Sequence, residues 1–265
     1  MMEQKMIGFI GVEKYDILLY LSKILYRLNQ RVLLVDYAEN QALSYCIPTP
    51  ATEQLFPRGF EESEGYYIYQ RKKLMQERIT YQGVDFIVEP QYDTLFQLIP
   101  EYDLVLIDFG FQVYSKLISH CSKIYFCMDP QLHHIMQLKP LRNMVEQQNE
   151  KFYLIFRQVY DCKVCVSYLM EEVGIYIAED NIYQYYEEPM DMKYCIDSQY
   201  NHTYHFMKVS KGLKSCLLFL MKTMQPGIGK KELKSAYKIA RTRRENRGMT
   251  VRQGGKNADS VLHML

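Results

Sequence analysis

The run from Lys5 to Asp36, KMIGFIGVEKYDILLYLSKILYRLNQRVLLVD, leaves little freedom for the rest of the chain. Met6–Ile10 is a short apolar segment with Gly8 inside it, the pattern of a buried strand that another backbone approaches closely. From Asp16 onward Ile17, Leu18, Leu21, Ile24, Leu25 and Leu28 recur three and four residues apart, with Ser22, Lys23 and Arg27 on the other side. That period predicts a helix packed on a sheet. Arg31–Asp36 is a second strand, apolar on both faces and ending in a carboxylate, which suits the middle of a parallel sheet covered by helices on each side. Gly11-Val-Glu-Lys-Tyr-Asp16 then stands between strand and helix, where a phosphate-cradling loop would sit.

Later segments repeat the alternation. Strands are expected at 84–88, at 102–108 (again ending in Asp), at 123–128 and at 152–156. Helical stretches are expected near 70–78, 94–99, 114–119, from Asp129-Pro130 to about Gln148 with Pro140 bending or dividing it, 162–172 and 208–224. Strands alternating with helices predict an α/β fold: a doubly wound, mostly parallel sheet flanked by helices, of the P-loop NTPase kind, with a basic C-terminal tail. Pro226-Gly227 is read as the end of the globular body, which divides the chain into an α/β domain (1–227) and a partly helical to disordered tail (228–265).

The 265 residues are enough to bury one sizeable core or two small ones, and 48% hydrophobic with 24% charged residues exclude disorder of the whole chain. No apolar run approaches the roughly 18–20 residues that span a bilayer, and no signal-type segment is recognised, so a cytoplasmic location is expected. Seven cysteines, odd in number and scattered through apolar segments, fit reduced buried thiols better than a disulfide framework. The net charge of +1 conceals an asymmetry: between Lys230 and Lys256 ten Lys or Arg stand against Glu232 and Glu245. Lys230, Lys231, Lys234, Lys238, Arg241, Arg243, Arg244 and Arg247 are therefore the candidate contacts for an anionic membrane surface or DNA, around a stripe of Leu233, Ala236, Tyr237 and Ala240. A solvated basic tail accounts for the same charges.

Taken in order, the strand and turn at the N-terminus, Arg31–Asp36, Gly83–Val88, Tyr102–Asp108 and the Asp129-Pro130 that opens a helix after a strand resemble the ParA/MinD group of P-loop proteins over roughly Lys5 to Met224. The resemblance implies a nucleotide site using Gly11, Lys14, Asp36 and Asp108. Lys14 falls on the loop lysine, Asp36 on the first member of an Asp-x-Asp pair, and Asp108 on the carboxylate that holds magnesium through water. It also implies dimerisation and protein partners in a larger assembly. The departures are chemical. Glu13 replaces a Gly, Tyr15 replaces the Thr whose hydroxyl binds magnesium, Phe9 and Ile10 replace a Lys-Gly, and Ala38 replaces the second Asp. Loss at several positions is a habit of the TadZ/CpaE-like subgroup, which the chain is similar to and which places a pilus or secretion machine. The expected function is thus a positioning or assembly scaffold with impaired or absent ATPase activity and no required cofactor. The alternative is a divergent ATPase that cycles on ATP and magnesium and binds DNA or membrane through its tail.

Cys162-Lys-Val-Cys165 can be read as half of a metal or cluster site completed by a dimer, or as two ordinary thiols three apart on one helical face. His133-His134 and the His202/His205 pair are read as surface histidines rather than ligands. The tyrosines between 176 and 204, interleaved with acidic residues, are read as an irregular cover for the sheet edge or as a docking surface for a partner.

Overall fold

The computed structural model describes residues 5–48, 78–142, 151–158, 164–202, 204, 206, 209–242, 249–252 and 262–264. Strand β1 (Met6–Gly11) leads into helix α1 (Tyr15–Arg27) and strand β2 (Val32–Asp36), followed by a single turn of helix, α2 (Ala42–Tyr45). The chain continues with β3 (Arg78–Tyr81), β4 (Val84–Val88), α3 (Tyr92–Leu98), β5 (Leu104–Asp108), β6 (Lys123–Met128), α4 (Leu132–Leu138), β7 (Phe152–Phe156) and α5 (Val166–Val173). It closes with β8 (Ile182–Gln184), α6 (Pro189–Tyr200), α7 (Lys211–Met224), α8 (Lys230–Thr242), β9 (Met249–Arg252) and β10 (Leu262–Met264).

One sheet runs in the order β10-β9-β3-β4-β2-β5-β1-β6-β7-β8. It is parallel from β4 to β8, and β3, β9 and β10 extend it antiparallel beyond β4. The central strands bury both faces, as their unbroken apolar runs predict. Ile7, Phe9, Leu34 and Leu106 point to the layer of α1, α7 and α8, and Met6, Ile10, Leu33, Val35 and Val105 to the layer of α3, α4 and α5. In β1 the close approach expected at Gly8 is to side chains: an added Cβ would lie 2.9 Å from the Phe109 ring and 3.1 Å from the Cys121 sulfur. All the parallel strands end at one edge, so the β1–α1 turn, Asp36 and Asp108 converge there.

Several expectations are corrected. Arg78, placed at the end of a helix, instead begins β3; the rest of that expected helix, residues 70–77, lies outside the described residues. The helix after Asp129 is divided as expected: α4 gives way to a 3-10 turn at Lys139–Leu141 around Pro140, whose missing amide and ring interrupt the α-helix, Arg142 is helical again, and residues 143–148 lie outside the described residues. The tyrosine-rich stretch is not irregular throughout, since it contains β8 and α6. Helix α6 escapes a period search because its inward residues are Asp191, Cys195 and Ser198, not an apolar stripe. Asp191 anchors it through polar bonds, accepting from Tyr185 Oη (2.6 Å) and Ser210 N (2.9 Å).

The division at 227/228 also changes. Helix α8 packs on α1, with Leu233, Ala236, Tyr237 and Ala240 all buried and Tyr237 edge-on to Phe206. Burial of Leu233 and Tyr237 stabilises this packing by about 1.5–3 kcal/mol each. The stripe read as a surface contact is therefore core, and the fold continues beyond residue 227 through α8 and into β9 and β10, so the described part of the expected tail is helix and strand. No helix among the described residues is long and apolar enough to cross a membrane.

Candidate functional site

Strand β1 ends at Gly11 with φ +112°, and a Cβ there would sit 2.0 Å from the Cys127 carbonyl oxygen, so only glycine fits. The amides that follow are already used: Gly11 N donates to the Gly110 carbonyl (2.6 Å) and Val12 N to the Cys127 carbonyl (2.9 Å). Lys14 folds back over the turn and is 1% exposed. Its ammonium lies 2.7 Å from Asp108 Oδ1 and donates to the carbonyls of Gly11 (3.0 Å) and Val12 (3.3 Å). Asp108 also accepts from Gly110 N at 2.9 Å. Asp36 is its register partner across β2 and β5. Asp36 Oδ1 accepts from Ala38 N at 2.9 Å, while Oδ2 makes no hydrogen bond. Burial, and next the Asp108 charge, push the Asp36 carboxyl up to about 8, against the opposing pull of nearby amides and Lys14.

Beside this turn lies a second polar group. Arg157, just past the end of β7, is buried and donates to Asp16 Oδ1 (3.0 Å), Asp16 Oδ2 (3.1 Å), Glu187 Oε1 (2.8 Å) and the Glu13 carbonyl. Burial alone would lower its pKa, but Asp16 and Glu187 hold it well above the ordinary value. Asp16 lies in the first turn of α1, where the helix dipole favours a carboxylate. Asp129, beyond β6, accepts from Gln131 N (3.0 Å) and lies 2.9 Å from His134 Nδ1, and the imidazole stacks on Phe111 at 5.3 Å. These groups line a cleft of about 320 Å³, next to a smaller pocket of about 110 Å³ over Gly11, Lys14, Ala38 and Asp108. A larger cleft of about 790 Å³ opens at the far edge, beside Tyr26, Arg31, Gly83 and Tyr102, away from this chemistry.

No protein-family model matches the chain, and no curated protein matches it. Solved structures do. MinD from Aquifex aeolicus aligns at 12% identity over 85% of this chain and 98% of its own, with a TM-score of 0.55. The MinC:MinD cell division complex of the same organism gives 15% identity, 82% and 95% coverage and a TM-score of 0.53. A plasmid partition protein of Borrelia burgdorferi B31 bound to AMPPNP gives 14%, 84% and 99%, with 0.51. The chain has the ParA/MinD fold.

On the ParA/MinD fold, Gly11, Lys14, Asp36 and Asp108 lie at one sheet edge. Their arrangement does not fit a magnesium–triphosphate. The lysine that would neutralise phosphate oxygens is held by Asp108 and two carbonyls. Two amides of the turn point at protein oxygens, and Tyr15 has turned into the buried start of α1. Cys165 is exposed and precedes α5 rather than lying on its face; its sulfur is 3.1 Å from Ser167 Oγ, and Cys162 lies outside the described residues. No group of three or more metal-ligating side chains is found among the described residues. Lys230, Lys231, Lys234, Lys238 and Arg241 are exposed on α8, while Arg243, Arg244 and Arg247 fall outside the described residues. The Asp16–Arg157–Glu187 and Asp129–His134 groups went unread in the sequence. Arg157 is 141 residues from Asp16, and the one available signal was its place after a strand, at the edge where such folds carry their sites.

Proposed function

We propose that the chain is a positioning or assembly scaffold on a ParA/MinD-like fold, with impaired or absent ATPase activity. The observation that carries this reading is the Lys14 ammonium, committed to Asp108 and to its own loop and followed by the buried phenol of Tyr15 where a Ser or Thr hydroxyl would take magnesium. Glu13 and Asp16 add carboxylates where a polyphosphate would need positive charge. The solved structures that share the fold include a cell division protein in complex with MinC and a plasmid partition protein, which supports a role in placing other components. A TadZ/CpaE-like task at a pilus or secretion machine is the specific form we favour. The location would be cytoplasmic, at the inner face of a membrane.

The basic face of α8 supports a peripheral contact with a polyanion, membrane or DNA. Its apolar stripe is buried in the body, so such contact is made by Lys230, Lys231, Lys234, Lys238 and Arg241 through charge alone. The decisive experiment is isothermal titration of the purified chain with ATP and magnesium, alongside a phosphate-release assay. The expected result is no heat of binding and no turnover. Micromolar affinity with turnover that disappears in Lys14→Ala overturns the scaffold reading in favour of a nucleotide-cycling ATPase.

A further inference from the structure

The cleft of about 790 Å³ opens where β2, β4 and β5 begin, at the opposite end of the sheet from the Gly11–Asp16 turn. Its volume is that of a small-molecule site. One wall is the two-residue turn between β3 and β4, in which Gln82 (φ +51°) and Gly83 (φ +82°) are both left-handed, as a tight hairpin requires. A Cβ on Gly83 would lie 2.3 Å from the Tyr26 ring, so the turn packs directly on the end of α1. Polar bonds fix these walls. The Lys23 ammonium donates to Gln82 Oε1 at 2.6 Å, Tyr102 Oη to Asp85 Oδ2 at 2.7 Å, and Thr80 Oγ1 to Asp85 Oδ1.

The charges of the cleft are unevenly spent. Its carboxylates have partners: Asp85 accepts from two hydroxyls, and Glu101 pairs with Arg78. Asp103, beside the cleft, accepts from the Arg31 amide at 2.8 Å, while the Arg31 guanidinium stays 3.8 Å from it and is 68% exposed. That separation is too long for a hydrogen bond. Arg27 adds a second positive charge, its guanidinium 5.1 Å from the Tyr26 ring centre. The bias reaches Lys23, whose ammonium is lowered to about 8 by burial and next by the Arg27 charge. The end of α1 does not offset it with bare carbonyls, because those of Ile24, Leu25 and Tyr26 accept from the amides of Leu28, Asn29 and Gln30. Ile239 of α8, 41% exposed, gives the cleft an apolar side.

We propose that this cleft binds a small organic anion, a phosphate monoester or a carboxylate, with its oxyanion on the Arg31 guanidinium in the field of Arg27 and its apolar part against Ile239. A guanidinium suits either head, because its planar fork meets two oxygens at once. The cleft shares no lining residue with the pockets over the Gly11–Asp16 turn, so the proposal stands apart from the scaffold reading.

The test is isothermal titration of the full chain with phenyl phosphate and with benzoate, with benzyl alcohol as the neutral control. At least one anion should bind with a dissociation constant below about 1 mM, and benzyl alcohol should not; the tighter anion tells phosphate from carboxylate. Arg31→Gln and Ile239→Glu, both at exposed positions, should each weaken binding by at least about fivefold. Lys116→Gln, at an exposed position outside the cleft, should leave it unchanged. No binding of either anion, equal binding of benzyl alcohol, or an affinity unchanged in both cleft variants overturns the proposal. So does an equal loss in Lys116→Gln, which would mean a general attraction of anions to exposed cations. The scaffold reading is tested at the turn by Lys14→Ala and this proposal by Arg31→Gln, so failure of one is told from failure of the other.

Discussion

The ammonium of Lys14 lies 2.7 Å from the Asp108 carboxylate, and both side chains are almost completely buried. A buried ion pair adds little over an apolar pair of the same shape, but removing one member leaves an unpaired charge in a poor solvent, at a cost of about 3–5 kcal/mol. Lys14→Met should therefore lower the urea midpoint strongly, and Lys14→Met combined with Asp108→Asn should recover a large part of the loss. A single substitution that leaves the midpoint unchanged would mean that the pair does not hold the turn closed.

Asp36 predicts a dependence on pH. Its carboxyl is raised by burial and by Asp108 to about 8, so the folded protein favours the protonated form. The linked stability is fully present below the unfolded carboxylate range, about 4, and is lost as the pH rises through about 8. Asp36→Asn keeps an acceptor for the Ala38 amide and has no charge to bury. Its melting temperature relative to the parent should rise between pH 5 and pH 8.5, by the equivalent of about 1–3 kcal/mol. A difference that stays constant across that range would refute the shift.

Arg157 joins β7, the first turn of α1 and the segment before α6, because it bonds Asp16, Glu187 and the Glu13 carbonyl. Arg157→Met strands two buried carboxylates and should destabilise by about 3–5 kcal/mol. Glu187→Gln leaves the bidentate pair with Asp16 in place and should cost less, about 1 kcal/mol. Denaturant unfolding of the two variants tests the order; Glu187→Gln as the worse variant would contradict it.

Helix α8 has a buried face and a basic exposed one. Tyr237 is buried against Phe206, with the Lys214 ammonium 5.3 Å from its ring centre. Tyr237→Ala should cost about 3–5 kcal/mol. Replacing Lys230, Lys234 and Lys238 together with Gln should leave the melting temperature within a degree or two, roughly what exposed substitutions do. Binding to anionic liposomes or DNA should respond in the opposite way, falling in the triple variant. If Tyr237→Ala melts like the parent, α8 does not belong to the core.

The elements that were legible share one property: their burial is written in apolar side chains at a fixed period. β4, β6 and β7 fall where the sequence places them, because each is dominated by apolar residues, interrupted only by Asp85 in β4 and led by Lys123 in β6, and is bounded by polar or turn residues. Helix α1 is legible for the same reason. Helix α6 was not, because it is held by Asp191 and faces its apolar residues outward. In α8 the stripe itself was visible, but periodicity gives the face of a helix and not what covers it.

The sequence alone determined the N-terminal strand, turn, helix and strand from Lys5 to Asp36, the doubly wound class of the sheet, and the residues, Glu13, Tyr15 and Ala38, that stand in and near the turn. These follow from local pattern and residue identity. Only the tertiary structure decided that Lys14 closes on Asp108, that Asp16 meets Arg157 across 141 residues, and that the stripe on α8 is spent on the core. Such contacts depend on where separate segments come to rest, and a buried charge finds its partner through space rather than along the chain.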